Sequence, residues 1–376
     1  MSYALVDYSW MLAHGARVDA YLAALARHVR PGSVVLDIGA GSGFFTLEAC
    51  RLGARRVYAV DPSPSLHALR AVIEANGLGE RVVCLNEAST AISLPERADV
   101  VISDLRGSLP LFGGHLASLA DARARHLAEG GVLLPWRDSL RVAVVEAAEP
   151  HRRMLAPWGG RATPYDATPI VRMLENNWRS ERPAIPPEAR LTPSEEWAVV
   201  DYHAVTAPDV RGEARCGVER AGVAHGLVVS FDAEVAEGLG FSSWAPDSVY
   251  GTPFFPWPRP VELDEGDVVE VRLRADLLGG AYTWRWSTRV GTKARFDQST
   301  FLGEPLGAED VRRVAPGHVP AVTVALEVDR FVLERFGTGD TLEAIAGAVE
   351  ARFPARFGPH RPALAHVAAL SARYRT

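Results

Sequence analysis

Lysine is nearly missing from this chain: of its 40 basic residues, only Lys293 is not arginine. Such a bias is most simply the mark of a GC-rich coding sequence, and it leaves no lysine beside any glycine-rich turn. Cysteine is almost as scarce. Cys50, Cys84 and Cys216 are odd in number and lack metal-ligand spacing. Neither a disulfide framework nor a metal site is expected from them, and a reducing cytoplasm is the default compartment. No apolar run reaches the length of a membrane span and no signal-peptide pattern opens the chain, so no membrane role is expected. Excess positive charge is absent too: a net charge of -6 gives no reason to expect a nucleic-acid partner. Repeats and low-complexity segments are missing, and hydrophobic residues make up 48%, a globular composition. With 376 residues, two or three domains are expected.

What is present is concentrated in Val34-Val35-Leu36-Asp37-Ile38-Gly39-Ala40-Gly41-Ser42-Gly43. An apolar run ending in a carboxylate reads as a strand buried on both faces. The glycines suit a tight turn where backbone approaches a ligand. A helix-like stretch, Phe44 to Arg51, follows. The pattern is a nucleotide-site entrance, and glycine spacing by itself does not say which nucleotide. Arg56 to Asp61 is a second buried strand ending in an acid, placed to accept hydrogen bonds from ribose hydroxyls. No lysine-based phosphate clamp follows the glycines, and Asp37 would repel a pyrophosphate. A cationic, phosphate-free cofactor fits better.

From Ser33 to about Glu146 strands alternate with helices, at 33–38, 56–61, 81–86, 99–103 and 131–136 against 44–52, 64–76 and 116–128. This predicts a Rossmann-like parallel α/β sheet with its ligand at the carboxyl ends of the strands. After Pro150 the strand-like runs alternate, as in 196–202, 226–231, 268–273 and 282–286, which predicts an antiparallel β-barrel. Asp340 and Glu343 make a candidate capping box in a small helical C-terminal segment. The expected domains are 1–32 (N-terminal helical segment), 33–148 (cofactor domain), 149–298 (barrel, with an excursion at 155–180) and 299–376.

The Asp37 to Gly43 turn resembles that of the class I S-adenosylmethionine-dependent methyltransferases. Three further features narrow the likeness: Met11-Leu12 with Arg17 and Tyr21 before the sheet, Ser103-Asp104-Leu105-Arg106-Gly107 after the fourth strand, and Leu127 to Pro135 leading straight into a β domain. With these the chain resembles the protein arginine methyltransferases over about 5–298. The resemblance implies S-adenosyl-L-methionine as cofactor, S-adenosyl-L-homocysteine as product and no metal. It implies that the N-terminal segment covers the cofactor, that Arg17 pairs with the cofactor carboxylate, and that Asp37, Gly39 and Gly41 line its amino-acid end. Asp61 would hold the ribose, and Glu87 and Ala88 would lie near the adenine. The plain alternatives are a surface helix residue for Arg17 and a solvated loop acid for Glu87. The 155–180 excursion stands where the family carries a dimerisation arm, which implies a homodimer. Residues 321–376 faintly resemble small winged-helix peptide-recognition modules, against the simpler reading of a helical cap.

The substrate side departs from the family. Its two clamp glutamates correspond here to Asp104 and Gly113, and its Thr-His-Trp element corresponds to Ser248-Val249-Tyr250, without the histidine. Half an arginine clamp is missing. Asp104 is the candidate to orient or deprotonate an amine, guanidine or hydroxyl acceptor, and His115 could do the same; Arg106 is a candidate contact for a substrate carboxylate, or a partner for Asp104 or Asp99. The leading expectation is therefore methyl transfer to a nitrogen or oxygen of a small metabolite or peptide. The alternatives are a peptidyl-arginine N-methyltransferase and an inactive cofactor-binding scaffold.

Overall fold

The computed structural model describes residues 4–158, 165–305, 307–357 and 362–374. The chain divides into two compact units, 1–305 and 306–376.

The first unit opens with two helices, α1 (Leu5–Ala13) and α2 (Gly15–His28). Arg17, Val18, Tyr21, Ala24 and Leu25 recur at three- and four-residue spacing, so α2 turns one stripe inward and buries it. The alternation that follows is β1 (Val34–Ile38), α3 (Phe44–Arg51), β2 (Arg56–Val60), α4 (Leu66–Ala75), β3 (Val82–Leu85), β4 (Ala98–Ser103), α5 (His115–Arg125) and β5 (Leu127–Leu134). The five strands form one parallel sheet in the order β3-β2-β1-β4-β5. β1 is buried at every position, as its unbroken apolar run requires between two helical layers.

Register positions the site. Ile38 lies opposite Val60 on one side and Ser103 on the other, so Gly39, Asp61 and Asp104 follow abreast at the carboxyl edge. Beyond β5 the chain passes directly into β6 (Arg137–Val145) of an antiparallel sheet. After β6 come α6 (Ala148–Leu155), α7 (Thr168–Glu175), β7 (Arg179–Glu181), β8 (Glu195–Asp201), β9 (Val210–Gly217), β10 (Gly222–Ala236), β11 (Leu239–Ser242) and β12 (Thr252–Leu263). β13 (Val268–Leu278), β14 (Ala281–Val290), β15 (Ala294–Ser299) and a short α8 (Thr300–Gly303) complete the unit. One sheet runs β7-β12-β10-β6-β8 with β11 on β10; the other runs β15-β14-β13-β9. Trp197, Phe255, Trp284 and Trp286 fill the space between them through edge-on ring contacts.

Residues 159–164 of the 155–180 excursion lie outside the described residues, and its described part is divided in its packing. At its end, Trp178 stacks on Phe255 and the Gln298 side chain donates to the Glu175 carbonyl. Trp158, Ile170 and Met173 remain exposed.

The second unit has α9 (Ala308–Arg313), α10 (Val324–Leu333), α11 (Leu342–Arg352) and α12 (Ala363–Arg373). Val328, Val332, Ile345, Val349, Val367 and Leu370 form a core of its own. The cap of α11 is Thr341, whose Oγ1 accepts from the Ala344 N–H at 3.2 Å. Asp340, expected in that role, instead accepts from Arg335 and Thr338. Among the described residues this unit contains helices and no strand, so it presents no β wing.

Candidate active site

A cleft of about 390 Å³ opens at the carboxyl edge of the parallel sheet, between α1, α2 and the barrel. On the sheet side Asp37, Gly39, Asp61 and Ala88 line it, as do Phe44 and Phe45. Gly39 has φ 78° and Gly41 φ 54°, conformations that penalise a side chain. Space forbids one too. A Cβ on Gly39 would meet Leu105 at 2.3 Å, and one on Gly41 would meet the Tyr8 ring at 2.4 Å. Asp61 holds this turn, because its carboxylate accepts from the N–H of Gly41 at 2.9 Å and of Ser63 at 2.7 Å. Asp37 lies deeper and accepts the Thr46 hydroxyl at 2.7 Å. Burial pushes Asp37 up to about 7; the Thr46 bond opposes this, and neighbouring Asp61 adds to it. Glu87 is exposed and is not among the lining residues; Asn86 bonds the carbonyls of Asp61 and Ser63 in its stead.

Arg17, Asp104, Arg106 and Tyr250 line the opposite side. Arg17 Nε donates to Asp104 Oδ2 at 2.5 Å, so the arginine expected at a cofactor carboxylate is paired with the acceptor-side acid. Arg106 Nη1 donates to Asp104 Oδ1 at 3.0 Å and to the Tyr21 hydroxyl at 2.7 Å. Its other edge makes a two-point pair with Asp138 of β6, at 2.8 and 2.6 Å. Of the two expected acids Arg106 thus takes Asp104, while Asp99 accepts the Val34 N–H. Its guanidinium also lies 5.5 Å from the Phe231 ring and 5.8 Å from the Tyr202 and Phe241 rings. Burial opposes the Asp104 charge, but Arg17 and Arg106 outweigh it and hold the carboxyl below its ordinary value.

His115 is a correction to the sequence reading. It starts α5 but points into the interior, with Nε2 3.0 Å from the Tyr202 hydroxyl. Burial first, then Arg106, push it down to about 3, so it is a neutral internal imidazole and does not line the cleft. Gly113 has open space where a Cβ would stand, yet φ 48° disfavours a side chain, and no second carboxylate faces Asp104 from this position.

Comparison with known proteins places the fold. The family model for ribosomal protein L11 methyltransferase matches residues 18–134. A probable protein arginine N-methyltransferase 6 of Arabidopsis thaliana is 33% identical over 160 residues, which is 42% of this chain and 37% of the relative. Protein arginine N-methyltransferase 1 of Schizosaccharomyces pombe is 31% identical over 163 residues, 43% of this chain and 48% of that protein. The matched stretch thus spans less than half the length of either relative. Among solved structures, the Trypanosoma brucei PRMT1 enzyme-prozyme complex with AdoHcy superposes at TM-score 0.70, with 19% identity, covering 78% of this chain and 96% of that one. Arabidopsis thaliana protein arginine methyltransferase 10 gives 0.67 and 21%, covering 79% and 97%. The chain has the protein arginine methyltransferase fold.

Within that fold, sequence reading missed Asp138, Tyr202 and Arg182. Asp138 and Tyr202 share a 2.5 Å hydrogen bond behind Arg106, and Arg182 lines the cleft while donating to the Val249 carbonyl at 2.6 Å. Asp138 is the only acid on a strand whose other polar residues alternate outward, a signal too slight to read without the fold.

Proposed function

We propose that the protein is an S-adenosylmethionine-dependent methyltransferase. The observation that carries this reading is one cleft in which a glycine turn held by Asp61, with Asp37 beneath it, faces Asp104 across the sheet edge. The donor set suits the cofactor: carboxylates for ribose hydroxyls and for the ammonium of its amino-acid end, and a glycine cradle where any Cβ would collide. When bound, the cofactor supplies an electrophilic methyl on a good leaving group. The chain then has to hold the acceptor lone pair in line and exclude water. Among the described residues no group of His, Cys, Asp and Glu could hold a metal ion.

For the acceptor, the names of the relatives support a peptidyl arginine nitrogen. A second reading, a nitrogen or oxygen of a small metabolite or other peptide, is favoured by Gly113 and by the two arginines already seated on Asp104. Incubation with Arg-Gly-Gly peptides and labelled cofactor, read by mass spectrometry, separates them. Methylarginine formation that is lost in Asp104→Asn supports the first. Transfer only to non-guanidinium acceptors supports the second. Failure of the chain to bind S-adenosylhomocysteine at all would sink both. We further propose a homodimer in which the exposed Ile170 and Met173 face of α7 packs on a second copy.

A further inference from the structure

Arg17, Asp104, Arg106 and Asp138 form a continuous buried chain of charge. Their side chains are at most 9% exposed, and those of Arg106 and Asp138 are fully covered. Two cations and two anions balance, which is how such a cluster persists away from water. The members come from different parts of the fold: Arg17 from α2, Asp104 and Arg106 from the segment after β4, and Asp138 from β6. The Asp138 carboxylate is fixed in turn by the Tyr202 hydroxyl, and His115 stands behind Tyr202.

We propose that Arg106 is a positioning residue: anchored on Asp138 and on the Tyr21 hydroxyl, it holds the Asp104 carboxylate at the cleft, so that the barrel governs the acid of the acceptor side. The proposal rests on reading the cleft as a methyl-transfer site. Its physical basis is geometric. A planar guanidinium with a two-point pair along one edge cannot rotate, so its remaining Nη1 hydrogens point in fixed directions. Those directions are Asp104 Oδ1 and Tyr21, and Tyr21 itself is tied by its hydroxyl to the Ser103 carbonyl at 2.9 Å. Asp104 has one oxygen on Arg106 and the other on Arg17, with Tyr250 Oη 3.5 Å from both. The ionisable groups around it are therefore Arg17 and Tyr21 on α2, His14 just before that helix, Arg106 beside it, Tyr250 on the loop after β11, Asp138 behind Arg106, and His115 at the start of α5. With Arg106 in place Asp104 stays ionised to lower pH than an isolated buried carboxyl would.

The test uses the full chain without cofactor, labelled with ¹³C at aspartate Cγ, the Asp104 signal being identified by its loss in Asp104→Asn. Arg106→Met alone strands Asp138 without a cation, so the main variant is Arg106→Met with Asp138→Asn, which keeps a group to accept the Tyr202 hydroxyl. The Asp104 signal is expected to titrate at clearly higher pH in the double variant, and at an intermediate midpoint in Arg106→Lys, which keeps the charge but not the fork. An unchanged midpoint in a folded double variant overturns the proposal and leaves Arg106 as structural glue, a role that moves the melting temperature alone. Calorimetry of wild-type protein with S-adenosylhomocysteine is run alongside. Absence of binding there defeats the methyltransferase reading, whatever the titration shows.

Discussion

Asp37→Asn, and the pH dependence it abolishes, tests the chemistry of the cleft most directly. The Asp37 carboxyl, raised to about 7 chiefly by burial, is largely protonated in mildly acidic solution. If Asp37 meets the α-ammonium of S-adenosylhomocysteine as proposed, that group prefers the carboxylate, and binding at low pH is expected to expel the proton. The cost is about 1.4 kcal/mol for each pH unit below the free-protein value. From about pH 8 to about pH 5.5 the affinity for S-adenosylhomocysteine should therefore fall roughly 30-fold, or about 2 kcal/mol. Titration calorimetry in two buffers of different ionisation enthalpy measures both the affinity and the proton released. Asp37→Asn keeps a group to accept the Thr46 hydroxyl, and it should bind more weakly and lose the pH dependence. Stability runs in the opposite direction. A carboxyl raised on folding contributes stability that is full below its unfolded value of 3.8 and is lost as pH rises through about 7. The cofactor-free protein should thus gain stability from this group between about pH 8 and about pH 5, and Asp37→Asn should remove that gain. Equal affinities at both ends of the range with no proton release would refute the reasoning.

Asp61→Ala should weaken S-adenosylhomocysteine binding by roughly 1–3 kcal/mol, through lost charge-assisted bonds and a loosened Gly41 turn; unchanged affinity in calorimetry would remove Asp61 from the site. Ile170→Glu with Met173→Glu should convert the expected dimer to monomer in light scattering. Wild-type protein already monomeric at micromolar concentration would count against that surface.

Much of this was legible because it is local. Val34 to Ile38 and Arg56 to Val60 are apolar runs punctuated by glycine and acid, and such runs carry their own strand and turn signals. Parallel pairing then places Gly39, Asp61 and Asp104 together by register alone. The acceptor side was less legible because it is built from long-range pairs. Asp104 meets Arg17 across 87 residues of sequence, and Arg106 meets Asp138 across 32. His115 follows two glycines, which reads as an exposed loop, yet it is the first residue of α5 and turns inward to Tyr202, 87 residues away. No spacing rule encodes that choice. The bulk of the barrel core that claims the histidine is known only once the sheets are assembled.

α1 buries none of its nine residues, and Leu5, Val6 and Trp10 are all more than half exposed. Yet Tyr8, Met11 and Leu12 line the cleft, and Tyr8 lies directly over the Gly41 turn. A helix with so little of its surface covered opens at small free-energy cost compared with the sheet beneath it. Release of a cleft ligand is then expected to follow the opening of this one short helix, with the sheet and barrel intact. Apolar contacts added under α1 are expected to lengthen occupancy and a proline within it to shorten it, without substituting Tyr8, Met11 or Leu12, the α1 residues that line the cleft.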